Sequence, residues 1–188
     1  MNKTFTQFSL FLISLLVLFS SCSKKDSSTP ETSNDSSWKL GQYTYTRGGS
    51  SQDDNSGQND HGDFVAVTVS TAGNGGNYGA YSGSAISFVF PNHLGAGKYT
   101  LTDGIDLASN KGSMLMEVRC TIATAVNTGA TTYNTSKAAG GSAEVTIDAN
   151  SKYHITIENP VNLLKGVEVG GGIPDAAATY AFTVKDAY

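Results

Sequence analysis

An all-β domain, an antiparallel β-sandwich or small barrel of about nine strands, is what residues 38–188 predict. Three features carry this expectation. Apolar residues recur at every second position and not every 3.6. The alternating segments are separated by glycine- and asparagine-rich turns, in a chain holding 21 glycines. No stretch shows the apolar stripe of an amphipathic helix. The segment is long enough for one domain with one core.

The elements follow in order. The first candidate strand is Lys39–Thr46, where Trp38, Leu40, Gln42 and Thr44 share one face and Lys39, Gly41, Tyr43 and Tyr45 the other. Alternation then places Val65, Val67 and Val69 on one face of Phe64–Thr71, and Ile86, Phe88 and Phe90 on one face of Ala85–Phe90. Gly95-Ala96-Gly97 is a turn launching Lys98–Thr102, since the full phosphate-loop spacing is absent. Asp103–Lys111 has room for one helical turn. In Ser113–Thr124, Met114, Met116, Val118, Cys120 and Ile122 face inward, opposite Glu117, Arg119 and Thr121, which makes Cys120 a buried apolar residue and not a reactive thiol. Thr131–Thr135 is a short strand and Thr135–Ala139 a second helical turn. Ala143–Asp148 and Tyr153–Glu158 alternate around Asp148-Ala149-Asn150-Ser151, a hairpin signal in which asparagine supplies the left-handed residue. Leu163–Val169 and Thr179–Lys185 complete the set, with alternation failing at Asp186.

The N-terminal part has a different character. A bilayer core of about 30 Å needs about 20 apolar residues in a helix, and the run from Leu10 to Phe19 is too short to span it. Lys3 ahead of it and Ser20 and Ser21 behind it complete the basic, apolar, small-residue order of an export signal. Leu18-Phe19-Ser20-Ser21-Cys22 resembles the lipobox of bacterial lipoproteins, with Phe19 where an aliphatic residue is more usual. The looser form is familiar in Bacteroidota-type lipoproteins. That resemblance implies that residues 1–21 are a signal peptide and that Cys22 becomes the lipidated first residue. It further implies an outer-membrane protein facing the periplasm or the cell surface, with the membrane as a partner through the lipid. Residues 22–37, serine-rich with Lys24, Lys25 and Asp26, are too polar to bury a core and are expected to act as a flexible tether.

Composition narrows the functional classes. A net charge of −4, with no basic stripe, argues against nucleic acid as a partner. The chain lacks the nucleophile-elbow, zinc-peptidase and paired-cysteine motifs. Its histidines, His61, His93 and His154, are scattered, and Glu117, Glu144 and Glu158 fall on outward strand positions where solvated charge is the ordinary explanation. No catalytic residue is therefore assigned, and a non-catalytic role is expected.

Two loops have binding chemistry. The stretch from Asp53 to Asp63 supplies carboxylates from Asp53, Asp54, Asp60 and Asp63 without a basic residue, a candidate calcium loop because calcium takes six to eight oxygens. The stretch Gly73–Gly83 flanks Tyr78 and Tyr81 with glycine and adds Asn74 and Asn77, a pattern suited to a sugar, with rings on its apolar face and amides on its hydroxyls. The sequence therefore points to a lipid-anchored, non-catalytic cell-envelope binding module, with glycan as the candidate ligand. A structural or adhesive surface protein, meeting another protein through a sheet edge or loops, is the competing expectation.

Overall fold

A computed structural model describes residues 36–54, 63–72, 83–123 and 129–188. Period-two alternation translates directly into strands whose odd and even residues face opposite sides. In β4 (Phe64–Ser70) and in β5 (Gly83–Pro91) as far as Phe90 burial alternates, with Val65, Val67, Val69, Ile86, Phe88 and Phe90 at 1% exposure or less. The other strands are β1 (Ser37–Leu40), β2 (Tyr43–Thr46), β3 (Gly49–Asp54), β6 (Gly97–Thr102), β7 (Leu115–Ala123), β8 (Ala130–Asn134), β9 (Ser142–Ile147), β10 (Tyr153–Val169) and β11 (Thr179–Ala187). The one α-helix among the described residues, α1 (Gly104–Ser109), falls where a helical turn was expected and is capped by Asp103, whose carboxylate accepts from the Asp106 N–H at 2.8 Å.

The fold is all-β, as expected, and the described residues hold eleven strands in one mixed sheet ordered β2-β1-β11-β10-β9-β6-β7-β5-β4-β3, with β8 off this path. One pair departs from the antiparallel pattern: β6 and β7 run parallel, joined by the crossover through α1. β8 pairs both β7 and β10, so the pairing closes into a ring β10-β9-β6-β7-β8. The sheet also folds over on itself. The Trp38 indole on β1 donates to Ser84 Oγ on β5 at 2.9 Å, although those strands are at least five spacings apart, roughly 24 Å in a flat sheet. The enclosed core takes Trp38 and Leu40 from β1, Tyr99 from β6, Met116, Val118, Cys120 and Ile122 from β7, and Ile155, Ile157 and Phe182 from β10 and β11.

Several boundaries differ from the sequence reading. Lys39–Thr46 is not one strand but the β1–β2 hairpin, turning at Gly41-Gln42 with Gly41 at φ +59°. Glycine is needed there both for that conformation and because a Cβ would lie 2.7 Å from the Tyr180 ring. The turn resets the parity, so Trp38 and Tyr45, expected on opposite faces, are cross-strand partners, both buried, with rings stacked at 5.7 Å. Tyr153–Glu158 and Leu163–Val169 fuse into the single strand β10. The hairpin at Asp148–Ser151 forms, with Asp148 Oδ1 accepting from the N–H groups of Asn150 and Lys152, both at 2.8 Å. Its left-handed residue is Ser151, φ +61°, not the asparagine.

Candidate functional site

Most of the residues expected to bind a ligand, Asn74, Asn77, Tyr78, Tyr81 and Asp60, and the lipidation candidate Cys22, lie outside the described residues. Asp53 and Asp54 fall on the edge strand β3, paired opposite Ala66 and Val65, and not in a loop. Asp63 is exposed just ahead of β4, and its carboxylate accepts from Lys111 Nζ at 2.9 Å. That bond to Lys111 is the main reason its pKa lies below the usual carboxylate range. No group of three or more metal-ligating side chains forms among the described residues. Cys120 is fully buried with Sγ 3.5 Å from Ser84 Oγ, and burial pushes its thiol up to about 12. It is a core residue. Glu117 is a correction: expected as solvated charge, it is only 7% exposed, gripped by Arg119 through Nε at 2.9 Å and Nη2 at 3.1 Å. Like Arg119, it points away from the apolar face; it lies under α1, beside Gly104.

The structural feature with binding geometry lies elsewhere, over the outward face of β2, β1, β11 and β10. There a cleft of about 360 Å³ is lined by Ser37, Lys39, Thr44, Thr156, Glu158, Thr183 and Lys185 over a floor of Trp38, Ile157 and Val184. This volume is at the low end of small-ligand sites. Two departures from regular pairing surround it. Between the pairs Ile155↔Ala187 and Ile157↔Val184, one residue of β10, Thr156, opposes two of β11, Lys185 and Asp186. Between Ile157↔Val184 and Val161↔Phe182, three residues of β10, Glu158, Asn159 and Pro160, oppose only Thr183. The extra residues thus fall on opposite strands on either side of one regular pair. Bulges bend the strand that carries them and re-aim side chains, and Pro160, with no N–H to give a ladder, belongs at such a place.

The cleft's polar groups come from the pleat. Ser37 and Lys39 on β1 oppose Lys185 and Thr183 on β11, so the two lysines are diagonal neighbours on one face, with backbones about 7–8 Å apart. Lys39, Lys185 and Glu158 are exposed, and none makes an ion pair with another described residue. The hydroxyls of Ser37, Thr44, Thr156 and Thr183 stand among them.

Two residues along the same face of β10, His154 is fixed by its neighbours. Its Nδ1 lies 2.7 Å from Asp186 Oδ1 and its Nε2 3.7 Å from Asp148 Oδ2, while Tyr188 stacks on the ring at 4.4 Å. Asp186 reaches the imidazole because the β11 bulge holds it at φ +51°. Arg47 sits 3.7 Å over the Tyr188 ring and donates to the Tyr188 main-chain oxygen at 3.1 Å. The cluster ties β11 to the β9–β10 hairpin and the chain after β2, and so braces one end of the cleft. Sequence reasoning did not single out the cleft, although Pro160 between two alternating segments and the lost alternation at Asp186 were its signals. Comparison with protein-family models, curated proteins and solved structures found no match.

Proposed function

We propose that this chain is an exported, lipid-anchored protein of the outer membrane and a non-catalytic binding module, holding a glycan in the cleft over β1, β10 and β11. The observation that carries the reading is the cleft itself: a concavity made by two opposed bulges, with hydroxyls, two amines and a carboxylate converging on it. Saccharides are recognised by such hydrogen-bonding groups placed on a rigid wall, and strands supply a more rigid wall than loops. The anchor rests on the lipobox-like stretch ending at Cys22.

The test of binding is a glycan array probed with full-length protein in detergent. Binding that weakens in Thr156→Val and Thr183→Val supports the cleft; binding to no glycan sinks the reading. The anchor is tested by labelling with a fatty-acid analogue in an expressing bacterium, where label should enter the protein and vanish in Cys22→Ser. The competing adhesive role draws on β2 and β3, which end the sheet order. It predicts binding of another protein that survives substitution of the cleft hydroxyls.

A further inference from the structure

Resting on the glycan reading above, we infer that the saccharide held in the cleft is anionic, bearing a carboxylate or sulfate that docks between Lys39 and Lys185. Two ammonium groups on diagonal positions of one sheet face repel each other, and sheets ordinarily relieve this with an opposite charge directly across. Here the residues directly across are neutral: Lys39 faces Thr44 on one side and Thr183 on the other, and Lys185 faces Ser37. Among the described residues the one carboxylate lining the cleft, Glu158, is not within ion-pair distance of either lysine. Of the other described lysines, Lys111, Lys137 and Lys165 are ion-paired with Asp63, Asp106 and Glu168, Lys98 lies directly across from Glu144, and Lys152 makes no ion pair with a described residue. What distinguishes Lys39 and Lys185 in this net acidic chain is that two unneutralised amines are neighbours on one concave wall, and an acid group from a ligand would complete them.

The remaining lining fits the rest of such a molecule. Ser37, Thr44, Thr156 and Thr183 both donate and accept, as sugar hydroxyls require, and Glu158 accepts from hydroxyls on the side away from the acid. Glu158 also limits the negative charge the cleft tolerates. Lysine is a point charge without a planar fork, so the shared chemistry is an acid group on a hydroxylated ring, and carboxylate and sulfate are separated by experiment.

The test measures binding of the full-length protein in detergent to an oligogalacturonate, a chondroitin sulfate oligosaccharide and a neutral galacto-oligosaccharide. The acidic ligands should bind more tightly than the neutral one, and the preference should shrink with added salt. Lys39→Ala and Lys185→Ala should each weaken acid binding roughly tenfold and weaken any neutral binding by clearly less, so that the preference for acid shrinks. Glu158→Gln should strengthen it. The better of the two acids identifies the group. Equal binding of neutral and acidic ligands overturns the anionic inference and leaves the glycan module standing. Acid binding that ignores both lysine variants overturns the site. Binding of none of the three, nor of any array glycan, overturns both readings. Both lysines are exposed, and unchanged fluorescence of Trp38, the chain's single tryptophan, confirms that the variants fold.

Discussion

Thr135→Val tests how the ring of strands is closed. On the edge of β7, β6 ends with Thr102 opposite Glu117 and β8 ends with Asn134 opposite Arg119, which leaves Val118 at the fork. Thr135 fills it. Its hydroxyl accepts from the Val118 N–H at 2.9 Å and donates to the Thr102 carbonyl at 2.6 Å, and the residue is 3% exposed. Valine preserves the shape and removes only the hydroxyl, orphaning two buried backbone groups. At about 1–3 kcal/mol for each of the two groups left unsatisfied, the loss is about 2–6 kcal/mol, a fall in Tm of roughly 5–20 °C for a domain of this size. Urea unfolding followed by Trp38 fluorescence measures it, with Thr135→Ser as the partner variant that keeps the hydroxyl and loses a methyl. A cost for Thr135→Val under about 1 kcal/mol, or a serine variant as unstable as the valine one, would refute the hydroxyl as the closure.

Four further outcomes follow from other parts of the molecule. Ser84→Ala leaves the buried Trp38 N–H without its acceptor and should cost about 1–3 kcal/mol, whereas Trp38→Phe in that background should show coupling in a double-mutant cycle followed by circular dichroism. Tyr45→Phe should leave stability unchanged or raise it in thermal melts, because the Tyr45 hydroxyl is buried with no hydrogen-bond partner among the described residues. Burial raises the Cys120 thiol and the Tyr99 and Tyr133 phenols to about 12, so between their ordinary values and that point the unfolded chain holds fewer protons than the folded one. Stability should therefore be intact below about pH 9 and fall steadily towards pH 12, and Cys120 should resist a thiol reagent until the protein unfolds. Asp186→Ala and Asp186→Gly both release His154, but only alanine keeps the strain of φ +51°. The glycine variant should be the more stable by about 0.5–1 kcal/mol in urea titrations.

How legible the molecule was depended on how local each signal is. Burial on one face of β4, β5 and β7 follows from side-chain alternation, a property of adjacent residues, and Cys120 was placed in the core from that alone. The β1–β2 hairpin was missed because Gly41-Gln42 is a turn of two residues inside an otherwise continuous pattern, and missing it put Tyr45 on the wrong face. β3 was missed because Ser50, Ser51, Asp53 and Asp54 offer no apolar alternation; an edge strand gains its place from the β4 backbone. Glu117 looked solvated because its strand position is outward, and only the tertiary placement of α1 and Arg119 shields it. The cleft depends on register between β10 and β11, which pair across nonlocal sequence, so Pro160 and Asp186 marked irregularity without saying what the irregularity surrounds.

The separation of backbone from side chain in this cleft has a functional consequence. Its concavity comes from where residues are inserted, two against one at Lys185-Asp186 and three against one at Glu158-Asn159-Pro160, on either side of the buried pair Ile157 and Val184. The shape is therefore held by core packing beneath it and by the His154–Asp186 contact at its end. The groups that would touch a ligand, by contrast, are exposed tips that contribute little to folding: exposed charges without ion pairs are worth tenths of a kcal/mol to stability. A wall built this way changes its charge without losing its form. Lys39, Lys185 and Glu158 are thus the positions where substitution should alter which ligand is held and leave the unfolding transition where it was, while Pro160 and Asp186 are the positions where the reverse order of effects is expected.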